Sequence, residues 1–177
     1  MEKSKGLSKI TLGLGIYIVI SAAFMRQVWD WLSSIFGDFL MMHAFVLCFI
    51  LISVFTIIYA FKIHLGLFKI CAVVLLFVLA YLFARWQPYF SEKTHVLTYG
   101  LLGFLATSDL FDSKKSLLSK EMGQALFFIS VISALDELFQ GLLPYRVGEL
   151  RDYITNVIGG IFGMGLLLVL KKRVNIS

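Results

Sequence analysis

Proline appears only twice in this chain of 177 residues, cysteine only twice, and charged side chains make up only 15% of it. With two Pro and 14 Gly in no repeating pattern, nothing suggests a disordered or repetitive segment. Cys48 and Cys71 each sit inside an apolar run, which excludes a zinc module or a disulfide framework and leaves them as small core- or lipid-facing residues. The net charge of +5 does not imply nucleic acid. Its lysines and arginines stand in short clusters beside apolar runs, as juxtamembrane anchors do, so no nucleic-acid partner is expected. No pattern calls for a cofactor: the run GGIFGMG (Gly159 to Gly165) lacks the Lys and hydroxyl that complete a phosphate loop.

What the chain has in abundance is apolar surface. Hydrophobic residues make up 59% of it, 17 of them Phe, and they fall in long runs that a soluble core of this size cannot hide. The expectation is an all-α, polytopic helical membrane protein, residues 1–177 forming one domain. Six runs are long enough, or nearly so, to cross a hydrocarbon core of about 30 Å at about 1.5 Å per residue. They lie near residues 10–25, 39–61, 67–84, 95–111, 122–140 and 153–170. The first could be read as a signal peptide, because Lys3, Lys5 and Lys9 precede an apolar run ending near Ser21 and Ala23. We read it as an uncleaved anchor.

Orientation follows from the cations. With the N-terminus inside, the inner loops hold Lys3, Lys5, Lys9, Lys62, Lys69, Lys114, Lys115, Lys120, Lys171, Lys172 and Arg173. The outer loops hold only Arg26, Arg85, Lys93, Arg146 and Arg151. That imbalance predicts both termini in the cytoplasm. Trp29, Trp31 and Trp86 then fall in outer loops, where an interfacial aromatic belt belongs. The segment Asp112 to Glu121 becomes a solvated inner loop able to touch anionic headgroups.

One stretch departs from the oily background. DELFQGLLPYRVGELRDYITN, Asp136 to Asn156, crowds polar and charged groups between two apolar runs, at the outer surface in this topology. At about 100° per residue, Ser133, Glu137 and Gln140 share one face of the fifth helix, and Asp152, Asn156, Gly159 and Gly163 share one face of the sixth. His95, Tyr99 and Gly103 repeat at i, i+4, i+8 on the fourth. Ionisable groups facing acyl chains cost roughly 2.5–3.5 kcal/mol each at mid-membrane, so these stripes are expected to turn toward one another or toward a wet cavity. The plainer alternative is a capping and packing network: Asp152 suits a helix N-terminus, and Arg146 has Glu137 or Glu149 to pair with. His43 reads as a packed or interhelical hydrogen-bonding residue, and the glycines of GGIFGMG as a close-packing surface within the chain or across a homo-oligomer.

The order H-x3-Y-x3-G (His95, Tyr99, Gly103) followed by E-x2-Q-x5-R-x5-D-x3-N-x2-G (Glu137, Gln140, Arg146, Asp152, Asn156, Gly159) resembles the VanZ-like family of bacterial membrane proteins. Lys93 and Ser133 also fit; Tyr145 departs, standing where the family often has Gly. The resemblance covers roughly Glu92 to Gly163, and the first three spans are generic. It implies a multi-pass protein of the bacterial cytoplasmic membrane, in a family some of whose members are associated with teicoplanin resistance.

Three functions are open at this point. An outer pocket could bind membrane lipids, a lipid-linked cell-wall precursor or a lipoglycopeptide, with Arg146 forking onto phosphate or carboxylate and Gln140, Asn156, Ser133 and Tyr99 supplying hydrogen bonds. The site could instead be catalytic, with Glu137 or Asp152 as general base and His95 as partner, acting on a lipid-linked phosphate or ester. Metal ligation by the same groups is conceivable but has no legible geometry, and no metal is expected. A carrier is the weakest reading, because the polar groups gather at one face and the two halves share no motif.

Overall fold

The computed structural model describes residues 6–111 and 120–171. Most of the segment from Asp112 to Glu121, expected as an inner loop, lies outside the described residues, as do Lys3, Lys5, Lys114, Lys115, Lys172 and Arg173, six of the cations expected inside. Six helices follow one another: α1 (Lys9–Ser21), α2 (Met25–Lys62), α3 (Leu67–Trp86), α4 (Phe90–Leu110), α5 (Lys120–Gly141) and α6 (Leu150–Leu170). There is no strand among the described residues.

The chain folds as helices because its apolar runs contain no proline, and in lipid a continuous helix satisfies every backbone donor internally. Four helices, α2, α3, α5 and α6, are long and apolar enough to cross a membrane. The 13 residues of α1 extend only about 20 Å. α4 has the length, at 21 residues, but carries Glu92, Lys93, His95 and Asp109. Outside the bundle, Phe39, Phe55, Phe68 and Phe127 stand more than two-thirds exposed, an apolar surface that suits acyl chains and not water.

α4 and α6 form the centre of the bundle and make its most extensive helix contact, flanked by α5, α3 and α1. Gly100 and Gly103 of α4 face Gly159, Gly160 and Gly163 of α6 so closely that a Cβ on Gly103 or Gly163 would collide with the opposing backbone carbonyl. The close-packing role read from GGIFGMG therefore falls within the chain, between these two helices. Around the contact, Tyr99, Leu102, Ala106, Ala125 and Ile129 form a core almost without solvent exposure.

α2 differs most from the sequence expectation. Residues 26–38, read as an outer loop, are helical, and the 38-residue element breaks at Gly37, with φ +75° and ψ 152°. Backbone of that kind is essentially confined to glycine. The break lets the first part of α2 depart from the direction of the second and lean over the end of the bundle where α4 and α6 begin.

The opposite end is tied by polar contacts. Ser8 N donates to Asp109 Oδ2 at 2.8 Å and Thr11 Oγ1 to the same atom at 2.6 Å, fixing the start of α1 to the end of α4. Lys69 Nζ donates to the Lys171 carbonyl at 2.8 Å, and Lys171 Nζ to that of Phe111 at 2.8 Å.

Candidate functional site

At the end where α4 and α6 begin and α5 finishes, the three polar stripes meet. Ser133, Asp136, Glu137 and Gln140 of α5 are all buried, as are Tyr99 and Asn156. Polar groups so buried have to find hydrogen-bond partners, and these find each other.

One chain of contacts runs from α4 through α5 to the loop. Tyr99 donates its hydroxyl to Asp136 Oδ2 at 2.8 Å. Gln140 Nε2 donates to Asp136 Oδ1 at 3.0 Å. The Gln140 carbonyl oxygen accepts from Arg146 Nε at 3.1 Å and from Arg146 Nη2 as well. A second chain runs beside it. Glu137 Oε2 accepts from the Glu149 backbone N–H at 3.0 Å, anchoring the loop where α6 begins. Its Oε1 accepts from Asn156 Nδ2 at 3.3 Å, and Asn156 Oδ1 faces His95 Nδ1 at 2.9 Å.

These contacts determine the state of the histidine. An amide oxygen can only accept, so Nδ1 carries the hydrogen, and in the neutral ring Nε2 remains an acceptor. Ser133 is spent on the Tyr153 carbonyl at 3.2 Å. Arg151, half exposed, reaches Glu92 Oε1 at 2.7 Å, Asp152 Oδ1 at 3.3 Å and Glu149 Oε2 at 3.5 Å, stapling the start of α6 to the start of α4.

Above the network lies a cavity of about 620 Å³. Its walls come from the broken part of α2 (Arg26, Trp29, Asp30, Ser33), the start of α4 (Glu92, Lys93, His95) and the α5–α6 loop region (Gln140, Arg146, Glu149, Asp152). Of the residues singled out from sequence, His95, Gln140, Arg146 and Asp152 therefore face the cavity. Glu137, Asn156 and Ser133 do not line it; Glu137 and Asn156 brace Glu149 and His95, which do. Tyr99 lines a smaller passage of about 90 Å³ beside it.

Arg146 pairs with neither Glu137 nor Glu149. Its partner is the neutral Gln140 carbonyl, and among the described residues no carboxylate lies within ion-pair distance of it. Nor do any three of the described His, Cys, Asp and Glu residues gather closely enough to hold a metal ion.

Sequence reasoning missed three participants. Asp136 lies four residues before Gln140, so the same helical spacing that selected Glu137 also selects it. Glu92 and Arg151 pair across 59 residues, and no local pattern signals that. The contribution of α2 was hidden because residues 26–38 read as loop.

The chain matches the family model described as VanZ/LLP1 over residues 10–171, which takes in nearly the whole of the six-helix bundle. No curated protein and no solved structure matches it.

Proposed function

Because the chain belongs to the VanZ/LLP1 family, its match running from α1 to the end of α6, we propose a ligand site in the bacterial envelope. In this reading the protein is a multi-pass protein of the bacterial cytoplasmic membrane, with six spans and both termini inside, and its polar cavity faces outward. There it binds or acts on a cell-envelope lipid or lipid-linked wall precursor and so lowers susceptibility to teicoplanin-type glycopeptides. The observation that carries the reading is the cavity itself, about 620 Å³ and walled by His95, Gln140, Arg146 and Asp152. That volume suits a headgroup or a short peptidic segment. A guanidinium hydrogen-bonded to a neutral amide keeps further donors for a ligand phosphate or carboxylate. Lys69 and Lys171 at the opposite end of the bundle favour the proposed orientation.

A second reading has its own support. The Glu137–Asn156–His95 chain holds the imidazole in one tautomer with Nε2 as acceptor, as a general base acting on a lipid-linked phosphate or ester would need. In that case Glu137 and Asn156 position the base, and His95 alone touches the reacting group.

The test is the minimal inhibitory concentration of teicoplanin and vancomycin for a susceptible Gram-positive host expressing wild type, Glu137→Gln or Arg146→Ala at matched membrane levels. Teicoplanin protection by the wild type, lost in both variants, is the expected result. Equal protection by all three forms would detach the phenotype from this site, and no protection by any would remove the antibiotic reading.

A further inference from the structure

The cavity wall holds a second group left part-satisfied by the fold, opposite in sign to Arg146. Glu92 is only 6% exposed and belongs to the cavity wall. Its Oε1 is taken by Arg151; the Tyr89 backbone N–H lies near the carboxyl group, but Oε2 is buried and accepts no hydrogen bond among the described residues. A buried carboxylate oxygen without a donor is costly, typically about 1–3 kcal/mol or more for a charged group, and rare enough to need a reason. The neighbouring Lys93 does not supply one: its Nζ turns away to the backbone carbonyls of Arg85 and Gln87. Asp152, Glu149 and Asp30 stand in the same walls, the first two paired with Arg151 and the third with Arg26. Trp29, packed edge-on to Phe90 with centroids 5.1 Å apart, adds an aromatic face of the kind that attracts ammonium groups.

With Arg146 available to an anion and Glu92 Oε2 to a cation, the geometry points to a zwitterionic ligand, a primary ammonium held at Glu92 and a phosphate held at Arg146. This rests on the reading of the cavity as a headgroup site and names the headgroup's chemistry. A phosphoethanolamine-type group has both charges, and its ammonium supplies the donor that Glu92 lacks. Its source is a membrane lipid, because polar and apolar pockets adjoin one another beside α4. The 90 Å³ passage shares Arg26, His95 and Arg146 with the cavity, and Tyr17 and Thr98 with an apolar groove of about 600 Å³ along α4 that is suited to an acyl chain.

The experiment titrates phosphatidylethanolamine, phosphatidylglycerol and water-soluble phosphoethanolamine into the detergent-purified protein and reads apparent affinity from the thermal unfolding midpoint. One charge-assisted hydrogen bond predicts phosphatidylethanolamine binding about tenfold tighter than phosphatidylglycerol. Glu92→Gln should abolish that preference, and Arg146→Gln should weaken both lipids together. Arg151→Gln removes the same ion pair from the other side while keeping the carboxylate, so it should retain the preference even if Glu92→Gln does not fold. Equal affinity for the two lipids, or a preference that survives in Glu92→Gln, overturns the inference. If both lipids bind equally and Arg146→Gln weakens both, the headgroup site stands and only its ammonium half falls. If neither binds, the lipid reading of the site falls with it. Phosphoethanolamine alone binding as tightly as the lipid, dependent on Glu92, would support the same chemistry with a soluble source.

Discussion

The contact between α4 and α6 makes a sharp prediction from a single methyl group. Replacing Gly163 by Ala places a Cβ inside the van der Waals envelope of the Gly100 carbonyl, with Phe104 N 2.9 Å away. Atoms of this size rest about 3.5–4.0 Å apart. Both obstacles are helix backbone, so no rotamer change relieves the clash, and α6 has to move off α4 by roughly 1 Å or more. The separation weakens the most extensive helix contact in the bundle and with it the His95–Asn156 hydrogen bond that crosses it. Overpacking typically costs about 1–3 kcal/mol; an obstacle that is wholly backbone places Gly163→Ala at the upper end. For a protein of this size that is a fall in unfolding midpoint of roughly 6–12 °C.

The control stands two residues away on the same helix. A Cβ at Gly165 would meet Leu76 Cδ2 at 3.6 Å, an ordinary contact, so Gly165→Ala should be neutral or slightly stabilising, since alanine is the better helix former by about 1 kcal/mol. Thermal unfolding of both variants in detergent separates them. Equal midpoints, or a Gly163→Ala protein as stable as wild type, would refute the close packing that organises the site.

Two further outcomes concern the docking of α1 and the topology of the chain. Asp109→Ala removes the acceptor of both Ser8 N and Thr11 Oγ1, hydrogen bonds to a charged group worth about 1.5–3 kcal/mol each. Hydrogen exchange should accelerate across α1 before any other helix, and uniform acceleration would mean that α1 is not docked through this carboxylate. In a background of Cys48→Ser and Cys71→Ser, Tyr145→Cys in the α5–α6 loop should react with a membrane-impermeant maleimide on intact cells, while His64→Cys between α2 and α3 should react only after lysis. The reverse pattern would invert the proposed topology.

The ends of α3, α5 and α6 fall within three residues of the apolar runs predicted for them, because a lipid-facing helix must be apolar along nearly its whole length. The first part of α2 escaped that logic. It lies at one end of the bundle, carries Arg26, Asp30, Ser33 and Ser34 beside Trp29 and Trp31, and is separated from its apolar continuation by Gly37. A polar segment ended by a glycine reads as a loop, although the glycine here breaks a helix and aims it.

The site shows the same division between what a helix encodes locally and what only the fold assembles. Spacing along single helices is enough to select His95 with Tyr99, Glu137 with Gln140, and Asp152 with Asn156, because charge avoids lipid and each stripe must turn inward. It cannot say which member of a stripe faces the cavity and which braces it. Glu137 and Asp136 are neighbours in sequence, yet one anchors the α6 loop through Glu149 N and the other receives Tyr99. Nor can spacing show that one oxygen of Glu92 is spoken for and the other is not. The distinguishing contacts join residues from 12 to 61 positions apart, and those that cross from α4 to α6 depend on the paired glycines that let the two helices lie together. Glycine packing is therefore the condition under which the polar stripes become a site, and loss of ligand binding in Gly163→Ala should accompany its loss of stability.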